Sequence, residues 1–381
     1  MKILLVCNYP LGGIRTFIKY HYKYFHEQGA DITIIANDST EKDAFVKDMN
    51  AINVEVVWTK SRMGRNILIL DVIEYLKNNK IDFIHSHGYM SGVNASIANI
   101  FFNYPHVLTM HGIIENKYFE GFVGKFKKLL FGKILRTIPL FHGVGHDVIA
   151  NLYREFPGLG EGKQKSIVIP SGVNAGLFHS KSITARDNLR NKLGVESDAK
   201  IYGYFGRFMP EKGFKVLVNA IANLKSSDRI RNFYIVAAGS GDYEREYKKE
   251  VKEKNLNDVI KFIPFTRDIA ELMKGCDAVI IPSLWEAYPL LPLEVLCAGI
   301  PLIASNCVGL REAVSDTPAI VVEPDNSELL AQAIIDSMER PNLKEIFNEF
   351  KDVATTRYDA SVAARRMYEA FEEFINSRGN L

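Results

Sequence analysis

Long apolar runs are missing from this 381-residue chain: no window holds the roughly 18 uninterrupted apolar residues that a membrane-spanning helix needs. The first eight residues, Met1-Lys2-Ile3-Leu4-Leu5-Val6-Cys7-Asn8, hold an apolar stretch too short for a secretory leader, with no small-residue cleavage site, and read as a buried strand. Cysteine is scarce. The four thiols (Cys7, Cys276, Cys297, Cys307) form no C-x-x-C pair, which argues against a zinc ribbon or disulfide framework and for reduced thiols in a cytoplasmic protein. An excess of one charge is absent as well, the net charge being +2. It is unevenly spread, at +5 over residues 1–175 and −3 over the remainder. That asymmetry is far too small for nucleic-acid binding, and it points to an anionic partner on the first half, a lipid surface or a phosphate-bearing acceptor. The Gly-x-Gly-x-x-Gly fingerprint is absent, which argues against a nicotinamide or flavin enzyme, and so is any Asp-x-Asp.

What is present suits a globular chain, 47% hydrophobic and 24% charged, and too long for one ordinary core. Short β-rich runs alternate with helical patterns: strands at 2–7, 31–36, 54–58, 83–86 and 107–110, helices at 14–28 and 67–78. Gly29 closes the first helix, as a C-terminal glycine does. The strands are almost continuously apolar, the mark of a parallel sheet covered on both faces. The rhythm restarts with strands at 201–205, 233–238, 261–263, 278–281, 301–304 and 319–322, and helices at 214–224 and from 292. The chain therefore reads as α/β with two successive Rossmann-like, doubly wound domains, 1–175 and 176–359. The hinge is expected between a strand at 167–170 and the polar stretch 181–187. The segment 360–381 is helical in pattern and is expected to cross back to the first domain.

In such sheets ligands bind beyond the carboxyl ends of the strands, where helix N-termini present unsatisfied N–H groups. Gly12-Gly13 follows the first strand; it makes a tight turn or lets the backbone approach a phosphate. Arg207 and Lys212, in the strand-end stretch Gly206-Arg207-Phe208-Met209-Pro210-Glu211-Lys212-Gly213, lie five residues apart across a turn. They converge on one diphosphate, Arg as a planar fork and Lys as a compact charge, or they are two solvated cations. Glu286 lies in the loop after a buried strand, and Glu294 in the first turn of the helix beginning near Pro292. With seven residues between them, the two can meet different hydroxyls of one polyol; Glu294 equally complements the helix dipole. His85 and His87 share one strand end without an evident third metal ligand. His111, in Thr109-Met110-His111-Gly112, is a cleft-facing group or a hydrogen-bonded structural histidine.

Together these residues resemble the retaining GT-B glycosyltransferases of family GT4, over nearly the whole chain. The matching pieces are Gly12-Gly13, His111-Gly112, Ile169-Pro170-Ser171-Gly172-Val173-Asn174, Gly206-Arg207 through Lys212-Gly213, Gly239-Ser240-Gly241, the Glu286/Glu294 pair and Gly309-Leu310-Arg311-Glu312. The Glu pair with Arg207 and Lys212 is the specific part. The resemblance implies two domains facing a central cleft that holds a nucleotide sugar. In it Arg207 and Lys212 neutralise the departing diphosphate, Gly12 and Gly13 bring backbone N–H groups to it, and Gly206 and Gly239 line the donor loops. Glu286 contacts the transferred sugar, Glu294 the ribose, and His111 the reacting centre, while amides around Leu290 and Leu291 cradle sugar and phosphate. Base contacts fall around Phe265-Thr266-Arg267. Ala287, Asn174, Ser171 and Val308 stand where the family commonly has Gly, Asp, Asn and Gly, and none of these changes removes a charged group. No cofactor or metal is expected beyond the donor itself, and no nucleic-acid partner.

Residues 118–138 mix Phe119, Phe122, Phe126, Leu129, Leu130, Phe131, Ile134 and Leu135 with Lys125, Lys127, Lys128, Lys133 and Arg136, and Lys117 precedes them. This basic amphipathic stretch (117–136) either rests on an anionic membrane and presents a lipid-linked acceptor, or faces the core with a solvated cationic side. The expected activity is retaining sugar transfer from a nucleotide sugar to a glycan or lipid-linked acceptor, in bacterial surface polysaccharide synthesis (lipopolysaccharide, capsule or exopolysaccharide). The expected location is cytoplasmic, peripheral on the inner membrane. A soluble acceptor, or a catalytically silent nucleotide-binding module, is the alternative.

Overall fold

The computed structural model describes residues 1–39, 41–62, 65–160, 164–180, 182, 184–227, 229, 231–264 and 268–379. They form two compact units, Met1–Gly172 with Ala360–Leu381, and Val173–Asp359.

In the first unit the strands are β1 (Lys2–Cys7), β2 (Asp31–Ala36), β3 (Glu55–Trp58), a short ribbon of β4 (Ser61–Arg62) and β5 (Arg65–Asn66), β6 (Phe83–His87), β7 (His106–Met110), β8 (Leu140–Gly143) and β9 (Lys165–Val168). Seven of them make one parallel sheet in the order β3-β2-β1-β6-β7-β8-β9. Leu4 to Cys7 are fully buried, as a strand sandwiched between helical layers requires. The chain reverses its direction of growth between β1 and β6, so the loops after these two strands flank the switch point. The helix Gly12–Glu27 covers one face with Phe17, Ile18, His21, Tyr22 and Phe25, a spacing of one helical stripe.

The last helix, Ala360–Gly379, packs beside Gly12–Glu27 on that same face. Ala364, Met367 and Phe371 are fully buried along it. The Phe371 ring stands edge-on to His85 (5.0 Å between centroids), Phe83 (6.0 Å) and His142 (6.0 Å).

The second unit has β10 (Lys200–Phe205), β11 (Phe233–Ala238), β12 (Ile260–Ile263), β13 (Ala278–Ile281), β14 (Leu302–Ser305) and β15 (Ile320–Val322). All are parallel, in the order β12-β11-β10-β13-β14-β15, with the switch point between β10 and β13. Alternate residues of β13 feed opposite layers: Val279 and Ile281 pack with Leu293, Leu296 and Phe347, while Ala278 and Ile280 pack with Phe214, Leu217 and Ile334. The unit begins at Val173 rather than at 176, because the Val173 N–H donates to the Tyr358 carbonyl (2.9 Å) and Val173 bridges to Asp359.

The chain has two tryptophans, Trp58 in the first unit and Trp285 in the second, so a Trp285→Phe background leaves Trp58 as sole reporter of the first unit. In that background Phe371→Ala is expected to cost about 3–5 kcal/mol in urea unfolding, as for other buried phenylalanines. A loss below about 1 kcal/mol would show that the terminal helix does not hold the first unit together.

Candidate functional site

In the second unit the polar residues collect beyond β10 and β13, the two strands at the switch point. The loop after β10 is fixed by the loop after β11: Gly206 N–H donates to Ala238 O (3.2 Å) and Phe208 N–H to Ser240 O (3.0 Å). Gly239 sits against the Gly206 carbonyl, where any Cβ would collide. The same β10 loop is joined to the loop after β13. Gly213 adopts φ +67° and leaves no room for a Cβ beside the Pro282 carbonyl, and Leu284 N–H donates to Glu211 O (2.8 Å).

This contact brings Lys212 to Glu286. The ammonium donates to both carboxylate oxygens, each at 2.7 Å, and Ser283 Oγ donates to Glu286 Oε1 at 2.8 Å. Glu286 is buried, and its backbone N–H donates to Val308 O (3.0 Å) above Gly309, which has φ +77°. Arg207 does not join this cluster. Its side chain is 70% exposed and, among the described residues, reaches only Glu211, at 3.7 Å. Glu294 lies in the first turn of the helix Leu291–Ala298, and its carboxylate has no hydrogen bond or ion pair among the described residues. Burial raises its pKa to about 7. Leu290 caps that helix without a side-chain bond and Leu291 opens it, so backbone N–H groups are left for a ligand. Phe265, Thr266 and Arg267 lie outside the described residues.

In the first unit Gly12 (φ +52°) and Gly13 begin the helix at the other switch point, with open space where their Cβ atoms would be. Leu11 caps that helix without a side-chain bond, and its first turn contains no acid. His111 follows β7. Its Nε2 lies 2.9 Å from His87 Nδ1, the two rings stack at 5.2 Å, and Phe17 meets His111 edge-on at 4.7 Å. Burial holds the His111 pKa well below the usual histidine value, so the ring is neutral.

Behind His87 runs a chain of polar groups whose protons the partners fix. His142 Nε2 must donate to Ile169 O (3.0 Å), so its Nδ1 accepts from Thr109 Oγ1 (2.8 Å). The Thr109 oxygen then accepts from His85 Nε2 (2.5 Å), and His85 Nδ1 accepts from the Tyr22 hydroxyl. His21 Nδ1 donates to Phe17 O (2.9 Å), and among the described residues its buried Nε2 and that of His87 have no partner. Sequence reading named His85, His87 and His111 but missed Tyr22, Thr109, His142 and Ser283. For Thr109 and His142 the signal was the period of two along adjacent strands, which puts His85, His87, Thr109 and His142 on one face; nothing comparable marks Tyr22, which lies on the helix Gly12–Glu27. Among the described residues no three His, Cys, Asp or Glu side chains are grouped to hold a metal ion.

Residues 185–352 match the family described as glycosyl transferases group 1, and residues 11–177 match glycosyltransferase family 4. The UDP-Gal:alpha-D-GlcNAc-diphosphoundecaprenol alpha-1,3-galactosyltransferase of Escherichia coli is 24% identical over 322 residues, covering 81% of this chain and 80% of that protein. A D-inositol 3-phosphate glycosyltransferase of Stackebrandtia nassauensis is 30% identical over 258 residues, covering 62% of this chain and 55% of its own length. The crystal structure of Anabaena HepE in complex with UDP and glucose superposes with a TM-score of 0.82 at 21% identity, covering 98% of this chain and 100% of that one, and so shares its fold.

The buried histidines make the first unit sensitive to acid. Burial lowers His21, His87 and His106 to about 3 and His142 to about 4. The unfolded chain takes up these protons near pH 6.5 and the folded chain refuses them until about 3 to 4, so stability falls as pH drops below about 6.5, by on the order of 1.4 kcal/mol per histidine per pH unit. Urea unfolding read by Trp58 at pH 7.5, 6.5 and 5.5 should show this decline. A flat profile would mean that the cluster opens to water or is charged in the folded state.

Proposed function

The chain belongs to the glycosyltransferases of the group 1 and family 4 type, with the paired doubly wound domains of the GT-B fold, and from that premise we propose which transfer it performs and how. The donor is a nucleotide diphosphate sugar, the anomeric configuration is retained, and the product is a growing bacterial surface glycan. The observation that carries this reading is the Lys212–Glu286–Ser283 cluster at the β10/β13 switch point, with the unpartnered Glu294 in the helix that follows.

In the proposed step the bond between the anomeric carbon and the diphosphate oxygen breaks, its electron pair leaving on the diphosphate. The acceptor hydroxyl oxygen bonds the same carbon on the face just vacated, and its proton passes to the departing phosphate oxygen. Such a loose transition state needs stabilisation of the leaving charge more than a strong base. Lys212 supplies a fixed cation, the exposed Arg207 a second one for the diphosphate, and the N-terminus of Leu291–Ala298 supplies N–H groups, without a divalent metal. Glu286 accepts from hydroxyls of the transferred sugar, and Glu294 accepts from the nucleotide ribose. In the first unit, neutral His111 offers a hydrogen bond rather than a charge, and the N–H groups at Gly12 and Gly13 suit a phosphate.

A lipid-diphosphate acceptor is supported by the name of the Escherichia coli relative, which carries such an acceptor. A soluble phosphate acceptor is the second reading, favoured by the inositol phosphate named for the Stackebrandtia relative. Assays with both acceptor types distinguish them.

Thermal melts with UDP-, GDP- and ADP-sugars should show one nucleotide class raising the melting temperature, because a ligand bound only to the native state stabilises it. With the donor so found, Glu286→Gln is expected to lower kcat by about 10²-fold or more with nucleotide affinity little changed. Glu294→Gln is expected to weaken nucleotide binding by about tenfold while turnover at saturation persists. If both variants lose only nucleotide affinity, the division of roles is wrong; if no nucleotide sugar binds or reacts, the enzyme reading fails.

A further inference from the structure

The helix Gly121–Leu135 in the first unit is built inside out. Its inward stripe is Gly124, Lys128, Phe131 and Leu135. Gly124 lies so close to the Phe119 backbone that a Cβ would clash, and Lys128 turns in to donate to Glu155 Oε2 at 2.7 Å. Phe131 and Leu135 are buried. The apolar residues that a globular core would claim point away from it: Phe122 is 88% exposed, Val123 78%, Phe126 64% and Leu129 60%, with Leu130 beside them. At ~100° per residue these five fall within an arc of roughly 120°, opposite the inward stripe. Packing of the first unit therefore does not account for them, and a contiguous apolar face of this kind marks an interaction surface.

Charge says what the surface meets. From Gly121 to Arg136 the chain has no Asp or Glu. Lys125 and Lys127 border the apolar arc on its two sides, and Lys133 lies within the arc at the C-terminal end of the helix. Neither Lys125 nor Lys133 has a carboxylate partner among the described residues, and Lys127 lies over the Phe131 ring at 5.2 Å. Aromatic and aliphatic side chains between flanking lysines, on a helix lying along the protein surface, fit the headgroup boundary of an anionic bilayer. The apolar side chains enter the acyl region and the lysines stay at the phosphates. No helix among the described residues is long and apolar enough to cross a membrane, which fits a segment that lies on one. A second copy of this basic helix would bring like charges together, which disfavours self-association through it.

We propose that Gly121–Leu135 is a membrane-docking helix for anionic lipid. The helix starts ten residues after His111 in the chain, in the connection from β7 to β8. Docking through Phe122 and Phe126 thus holds the first unit, which carries His111 and Gly12-Gly13, at the bilayer. The corollary, that the acceptor is a membrane lipid bearing the growing glycan, rests on the glycosyl-transfer reading; the docking itself does not.

Flotation tests it with vesicles of phosphatidylcholine alone and with about a third phosphatidylglycerol. The protein should float only with the anionic vesicles, and less so as salt rises. The pair Phe122→Glu/Phe126→Glu, and separately Lys125→Glu/Lys127→Glu/Lys133→Glu, should each reduce the floated fraction at least about tenfold. All these side chains point outward, so the variants should keep the wild-type melting temperature and its rise with donor. Absence of flotation, or flotation unaffected by either variant set, overturns the proposal. So does a dimer in sedimentation that Phe122→Glu/Phe126→Glu dissolves, which would make the face an interface between copies. Flotation without any donor-induced shift condemns the transfer reading alone, and a donor shift without flotation condemns the docking alone.

Discussion

Lys212 and Glu286 join the two loops that flank the switch point of the second sheet, and the rest of that site is arranged around this bond. Glu286 is buried and Lys212 partly so, and charges taken out of water gain little net stability unless their remaining bonding capacity is filled. Here Lys212 meets both oxygens of Glu286, and Ser283 fills a further position on Oε1. The backbone is shaped to allow it. Gly213 passes the Pro282 carbonyl with no Cβ to obstruct, and Gly309 does the same beneath Glu286 and Ala287. Any larger residue at either place would separate the loops and leave a carboxylate buried without its cation. The arrangement is preorganised, since the ammonium is held in place before an anionic ligand arrives.

The first unit solves a different problem. Its sheet places imidazoles of β6 and β8 on a face closed off by two helices, Gly12–Glu27 and the terminal Ala360–Gly379. A charged imidazole there would be unscreened, so the rings stay neutral and are ordered by a one-way series of hydrogen bonds ending at the Ile169 carbonyl. His111 stands at the open end of that layer, stacked on His87. Burial is the main reason that it stays neutral, and the nearness of His87, His142 and His21 adds to it. Phe371 seals the closed end.

How much of this was legible in the sequence depends on the kind of interaction. The strands of both sheets could be read because burial on two faces leaves almost unbroken apolar runs, as at Leu4 to Cys7 and Ala278 to Ile281. β8 was missed because its four residues, Leu140–Gly143, include a buried histidine and follow directly on a helical pattern. Strand-end placement located Lys212, Glu286 and Glu294 on their loops and helix. Charge logic alone, however, set Arg207 beside Lys212, whereas the side chains pair Lys212 with Glu286 and leave Arg207 near Glu211. Contacts between residues 74 apart in sequence are a product of the fold, and no local pattern announces them. The same holds for residues 118–138. Periodicity revealed an apolar side and a basic one, but only tertiary packing shows that the apolar side faces outward.

The environments of the two carboxylates bear on how they would divide the work under the proposed donor reading. Glu286 already has a cation and a hydroxyl, so a sugar hydroxyl adds one bond to an oxygen whose charge is settled. Glu294 has neither among the described residues, and desolvation lifts it to about 7, so near neutrality it exists in both protonation states. A diol such as ribose suits that ambiguity, because its hydroxyls donate to the ionised form and accept from the protonated one. Glu294 is only partly buried, which leaves its carboxylate open positions that a ligand's hydroxyls can take. The contribution of Glu286 must come from positioning, as the fixed partner of Lys212 at the point where the diphosphate charge develops.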